Sequence, residues 1–209
     1  MTDWPEAWSG AWPELRAPAS VVAPMLLGAV LSWGGVRLRL TEVEAYEDVE
    51  DPGSHAARGR TARVATMFDE PGRIYCYLSH GLHRCLNVVA HEPGRAGAVL
   101  LRAGEVVDGL DLARSRRPGS SDRDLARGPG RLGAVLGADQ VTDGLMLGRD
   151  QLGLADPPLS EQAISRGPRV GLRLAADRPW RYWLTGERTV SPYRRHARAV
   201  PDPPAEPPA

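Results

Sequence analysis

Glu44, Tyr46 and His55 bring a carboxylate, a phenol and an imidazole into one short segment. The run from Pro71 to Val88 adds Tyr75, Tyr77, His80, His83 and a polar Asn87 inside an apolar stretch. An acid, aromatic faces and one buried amide are the groups that hold a flat base and cleave the bond behind it. Side chains two apart on a strand share a face. Glu44 and Tyr46 are therefore neighbours, Tyr75 and Tyr77 are neighbours, and His55 is placed to close a loop over the first pair. A positively charged ring lodged among such faces would gain about 0.5–2 kcal/mol from each well-placed one. Plainer uses stand beside these. A lone glutamate at a strand end is an ordinary surface acid. Buried tyrosines are core residues whose hydroxyls find partners. An inward-pointing Asn87 either caps backbone groups or reads the edge of a bound base.

Composition removes several mechanisms. All 26 Lys or Arg residues are arginine. A lysine Schiff base, a P-loop lysine and a lysine general base are thereby excluded. Cys76 and Cys85 read as reduced, buried thiols; a zinc site recruiting His80 and His83 lacks any CxxC pair. No apolar run reaches the roughly 18 residues of a membrane span. Residues 21–33 resemble a signal h-region but follow Asp3, Glu6 and Glu14 rather than a basic start, so a cytoplasmic chain is expected. The formal net charge is zero, yet it is unevenly spread. Residues 42–51 hold six acids and no arginine, whereas residues 58–131 hold thirteen arginines against eight acids. Residues 139–161 hold five acids and one arginine, and residues 166–198 hold nine arginines against two acids. Two basic blocks separated by acidic ones make either one positive face or an ordinary salt-bridged surface.

The elements that must position these groups follow from pattern. A helix is expected over residues 19–32. Alternation of Val36, Leu38 and Leu40 with Arg37, Arg39 and Thr41 predicts a strand over 36–46 with one wet face. Residues 47–66 read as a long polar loop with a short helix. Strands are expected over 73–78 and 86–90, joined at His80-Gly81, and again over 97–106, 169–174 and 180–184. Residues 108–116 form a short helix, 117–122 a loop, and Gly128-Pro129-Gly130 starts a helix over 131–136. Strands outnumber long helices, so the class is α+β, a single domain on a curved, mostly antiparallel sheet with surrounding helices. Its expected limits are 18–197, after a Trp- and Pro-rich extension (1–17) and before a Pro-rich tail (198–209) read as disordered.

Several runs together resemble the alkyladenine (3-methyladenine) DNA glycosylase family: Glu42-Val43-Glu44-Ala45-Tyr46, Met67-Phe68 with Pro71-Gly72, Tyr75-Cys76-Tyr77, Gly81 to Val88, Val99 to Ala103, Gly128-Pro129, Arg169-Val170-Gly171 and Pro179 to Trp183. The likeness covers residues 20–195 in order. It implies a monofunctional enzyme that flips alkylated or deaminated purines out of duplex DNA and excises them. Glu44 matches the family's general base, and Arg102 and the carbonyl of Val170 match groups that hold the attacking water. Tyr46, His55 and Tyr77 match the walls of the base pocket. Asn87 matches the residue that would collide with guanine's amino group. The hairpin matches a protruding wedge, with His80 where the family often carries an aromatic ring and His83 beside it. Histidine at that place implies weaker intercalation. The implied partner is double-stranded DNA with a damaged purine, bound by a monomer with neither cofactor nor metal.

The absent lysine agrees with a glycosylase that uses water and has no lyase step. A non-catalytic binder of damaged bases is the alternative from another class, disfavoured because binding alone has no need of Glu44 beside Arg102. A sugar hydrolase built on Glu42 and Glu44 is a third candidate, disfavoured by repulsion between the two acids.

Overall fold

The computed structural model describes residues 13–155 and 158–200. The tryptophans of the first twelve residues and most of the Pro-rich tail lie outside the described residues. The chain folds as α+β on an eight-stranded antiparallel sheet. Helix α1 (Ala19–Met25) precedes β1 (Val30–Trp33) and the long β2 (Val36–Tyr46). Two 3-10 turns, His55–Arg58 and Ala62–Phe68, fill the loop before β3 (Ile74–Ser79) and β4 (His83–Val89). Strand β5 (Ala98–Asp108) is followed by α2 (Leu110–Arg116) and α3 (Pro129–Leu136). The short β6 (Leu152–Gly153), β7 (Ile164–Gly167) and β8 (Arg181–Leu184) complete the sheet.

β2 is the axis. It pairs with β5 along one edge, and along the other with β1 at its start and β8 at its end. Valine 36, Leu38 and Leu40 enter the main core, but so do Val43 and Ala45, so the inward parity switches partway along the strand. The switch coincides with register shifts between Leu40 and Glu42 and between Glu42 and Val43 against β5. Such bulges add a residue to one strand, bend it and turn the following side chains to the other face. The strand's expected single wet face therefore holds only for its first half. Beyond Thr41 both faces are covered, and Glu42, Glu44 and Tyr46 lie opposite the core. That core packs the sheet against α1 and α3 through residues such as Val22, Leu101, Leu132 and Leu136. Each large aliphatic side chain fully buried there is worth about 1.5–3 kcal/mol. A smaller cluster of Ala56, Val64, Met67, Tyr75 and Ala98 lies on the reverse face, beneath the 3-10 turns.

Two expected elements differ. The helix over 19–32 stops at Met25, and residues 30–33 are a strand instead. Trp33 pairs with Val36 across Gly34-Gly35, both left-handed (φ 57° and 79°), which makes a tight hairpin open to glycine at both central positions. Residues 169–174 form turns, not a strand. Gly171 is left-handed there (φ 72°), and the side chain of Arg169 turns into the protein.

Candidate active site

The second half of β2 delivers Glu42, Glu44 and Tyr46 to one face, and the bulge in β5 sets Arg102 opposite them. Glu44 is fully buried, with both oxygens engaged. Its Oε1 accepts the Val170 amide at 2.7 Å. Its Oε2 accepts the Tyr46 hydroxyl at 2.8 Å and an Arg102 terminal nitrogen at 3.3 Å. Arg102 also donates from Nε to Glu42 at 3.0 Å and from its other terminal nitrogen to Ser191 Oγ at 3.3 Å. One guanidinium thus bridges two carboxylates and a hydroxyl, and its ionised form is favoured: burial opposes the charge, and Glu44 and Glu42 outweigh burial.

Glu42 anchors that arginine. It also accepts Arg181 Nε at 2.6 Å, the Ser191 amide at 2.6 Å and the Ser191 hydroxyl at 3.0 Å. Burial pushes its carboxyl up, but Arg102, Arg181 and the Ser191 amide hold it below the usual carboxylate range. With its oxygens taken by four donors, Glu42 is a structural anion. The paired-carboxylate arrangement of a sugar hydrolase is absent among the described residues: Arg102 stands between the two acids.

Tyr46 joins this cluster to a cavity. An opening is lined by Tyr46, His55, Tyr75, Tyr77 and Asn87, with Met67 at one side. The His55 ring meets Tyr77 edge-on at 4.7 Å, and Tyr75 and Tyr77 lie nearly parallel at 5.6 Å. His55 Nδ1 and the Tyr75 hydroxyl are 3.0 Å apart. Burial, then the nearby Arg63, lowers the His55 imidazole, which favours its neutral form. Burial pushes the Tyr75 phenol up to about 12 and Tyr77 higher still, so neither ring ionises near neutrality. Asn87 donates from Nδ2 to the Tyr75 carbonyl at 2.9 Å across the β3–β4 ladder. It therefore takes the first of the two uses, capping a backbone oxygen, while lining the cavity.

The structure thus brings Glu44, Arg102, Val170 and Tyr46 together, and sets Tyr46, His55, Tyr77 and Asn87 around one cavity. Val170 meets Glu44 through its amide rather than its carbonyl. His80 and His83 lie apart, where β3 turns into β4. The Leu82 amide bonds the Ser79 carbonyl at 3.0 Å, and His80 and Gly81 are both left-handed. His80 is exposed at this turn, and Leu82 beside it is 76% exposed. His83 pairs with Ser79 at the foot of the ladder and packs on Gly130 of α3, where an added Cβ would come within 2.7 Å of it. It is a flank of the turn, not its tip.

Sequence reasoning missed four groups. Arg181 and Ser191 complete the Glu42 cluster, and a buried Asp51–Arg169 pair lies behind Tyr46 with contacts of 2.6 and 2.7 Å. No local pattern marks these partners, which meet over 118 to 149 positions. Among the described residues no group of three or more His, Cys, Asp or Glu lies together as a metal site, and no helix is long and apolar enough to cross a membrane.

The family described as methylpurine-DNA glycosylase (MPG) matches residues 14–188. A Frankia casuarinae protein named "Putative 3-methyladenine DNA glycosylase" is 51% identical over 186 residues, spanning 83% of this chain and 88% of the relative. Proteins of the same name from Nocardia farcinica and Mycobacterium tuberculosis are 52% identical over 196 residues and 47% identical over 194. They cover 89% of this chain in both cases and 92% and 95% of the relatives.

Proposed function

We propose how this chain, which belongs to the methylpurine-DNA glycosylase family, performs its reaction: Glu44 directs a water at the anomeric carbon of an everted purine nucleotide whose base lies among Tyr46, His55 and Tyr77. It is a DNA glycosylase for alkylated bases of the 3-methyladenine type. The observation that carries the mechanism is that a single side chain, Tyr46, both lines the ring-walled cavity and bonds the buried carboxylate. The N-glycosidic bond breaks through an oxocarbenium-like sugar. A carboxylate beside it stabilises the positive charge and takes the proton of the attacking water. Arg102 and the Val170 peptide, both bonded to Glu44, hold that water. Alkylation on a ring nitrogen makes the purine cationic and a good leaving group. A neutral purine such as hypoxanthine or ethenoadenine leaves only as it is protonated, which is the harder case. Asn87, pinned by the Tyr75 carbonyl, stands where a guanine amino group would collide. The chain has no lysine to form an imine with the abasic sugar, so water is the nucleophile and the strand is left intact.

Non-catalytic binding of damaged bases is a second candidate, drawn from one observation: Glu44 has no exposure, and both of its oxygens are bonded. Single-lesion duplexes decide between them. Release of free 3-methyladenine, with an abasic strand cut only after alkali and no borohydride-trapped adduct, is expected. Lesion binding without base release would establish the non-catalytic role, and a trapped adduct would overturn water as nucleophile.

The β3–β4 turn is assigned to the gap left by the flipped nucleotide, as apolar wedges fill unstacked steps elsewhere. His80 is exposed and small for that task, and Leu82 adds the apolar surface. Extrusion costs a few kcal/mol, and truncating the wedge returns part of that cost. Leu82→Ala together with His80→Ala is expected to weaken affinity for a lesion duplex by about tenfold. The rate of base release from the saturated complex should change by less than about threefold. Fluorescence anisotropy and single-turnover kinetics measure the two, and unchanged affinity would remove the wedge from the tip. Exposed arginines around the site supply sequence-independent phosphate contacts, so affinity falls with salt.

A further inference from the structure

Over the Tyr46 ring, and not among the cavity-lining residues, lies a buried cation. The Arg169 guanidinium is 4.7 Å from the Tyr46 ring centroid and 5.1 Å from that of Trp180, and its side chain is fully enclosed. Asp51, equally enclosed, binds both terminal nitrogens at 2.6 and 2.7 Å. Arg169 also donates to the Ala45 carbonyl at 2.9 Å, immediately before Tyr46. The guanidinium lies close beneath Gly53, another cavity-lining residue: a Cβ there would meet Arg169 at 2.8 Å. The next peptide in the chain, Val170, holds Glu44. A two-toothed carboxylate takes the edge of a guanidinium and leaves its flat face free. The pair therefore presents its positive member to the tyrosine ring and its negative member to the loop that carries His55.

Tyr46 has two electronic neighbours that work against one another. Its hydroxyl donates to the Glu44 carboxylate, which enriches the ring. The guanidinium over the ring draws on the same π density. A ring that already faces one cation attracts a second on its opposite face less strongly, because the first occupies and polarises the same quadrupole and repels the newcomer through it.

We infer that Arg169, held by Asp51, is a specificity-determining residue that weakens the preference of the Tyr46 wall for cationic bases and so widens the cavity's acceptance toward neutral damaged purines. The inference rests on the base-pocket role of Tyr46 proposed above. Arg169 acts through Tyr46 and touches no base itself. Methylation on a ring nitrogen gives the cationic class, and deaminated or etheno-bridged purines give the neutral one.

Two substitutions move the balance in opposite directions. Asp51→Asn with Arg169→Gln removes both charges and replaces them with a shorter, neutral amide pair. The ratio of single-turnover rates under subsaturating enzyme, cationic 3-methyladenine over neutral hypoxanthine, is then expected to rise about fivefold relative to the unmodified protein. Asp51→Asn alone leaves the cation uncompensated, and the same ratio is expected to fall. A purely structural role lowers both rates in step and leaves the ratio where it was, because one preparation with one folded fraction is used for both lesions. Circular dichroism identifies the folded variants. If one does not accumulate, the direction of the other decides. An unmoved ratio, or movement in the same direction for both, overturns the inference. Failure of the unmodified protein to release either base would instead count against the proposed reaction.

Discussion

Glu44→Gln lowers single-turnover base excision by about a thousandfold or more, the span expected when a positioned general base and its charge are both removed. The geometry says why the loss should be confined to chemistry. Glutamine has the shape of the acid and can still accept the Val170 amide, where Glu44 accepts it at 2.7 Å. Its amide nitrogen would then face Tyr46 and Arg102, where a carboxylate oxygen now accepts at 2.8 and 3.3 Å. The tyrosine hydroxyl can turn and accept; the guanidinium cannot. Water would lose its proton acceptor and the developing sugar cation its counter-charge. The cavity rings are untouched, so affinity for a lesion duplex should stay within about threefold. Burst kinetics and anisotropy on the same preparation test both halves. Near-normal excision by the variant would falsify the role of Glu44 as base.

The second large effect is on stability. Glu42→Ala leaves the buried guanidiniums of Arg102 and Arg181 and the Ser191 amide without the anion they share. Breaking a buried ion pair on one side costs about 3–5 kcal/mol. At about 2–4 °C per kcal/mol for a domain of this size, melting should fall by roughly 10 °C. The pH dependence has a definite sign. The folded Glu42 carboxyl is held below the usual carboxylate range. Its contribution is therefore complete above the unfolded value and is lost as pH falls through the lower, folded one. The gap in melting temperature between the parent protein and Glu42→Ala should be constant at neutral pH and close as the solution is acidified below about 4.5. A gap that stays open to pH 3, or no gap at pH 7, would show that the cluster does not depend on this anion.

The sequence carried some of this and hid the rest. The limits of β2 follow from the alternation of Val36, Leu38 and Leu40, and Pro129 marks the start of α3. The cavity-lining side chains were legible because Tyr46, His55, Tyr77 and Asn87 come from two short segments. What could not be read was the face on which the acids land. Continued alternation from Leu40 would put Glu42 and Glu44 into the core, and only the paired bulges of β2 and β5 turn them out of it. A bulge is a property of two strands in register, and one strand's pattern does not contain it. The Gly34-Gly35 turn was written in the sequence but lost under an apolar run that also suited a helix. Arg169 sat in an apparent strand because its segment is short and mixed. Its reason for turning inward is Asp51, on the far side of the molecule in sequence terms.

Ser191 has a consequence for the order in which the protein becomes competent. It binds Glu42 through its amide and hydroxyl, and its hydroxyl also takes a nitrogen of Arg102. A nascent polypeptide on the ribosome can assemble β2 and β5 long before that serine has left the exit tunnel. Until it does, the guanidinium that steadies Glu44 is short of a partner. The growing chain thus holds β2 beside β5 while Glu42 and Arg102 still lack the bonds that the segment around residue 191 brings.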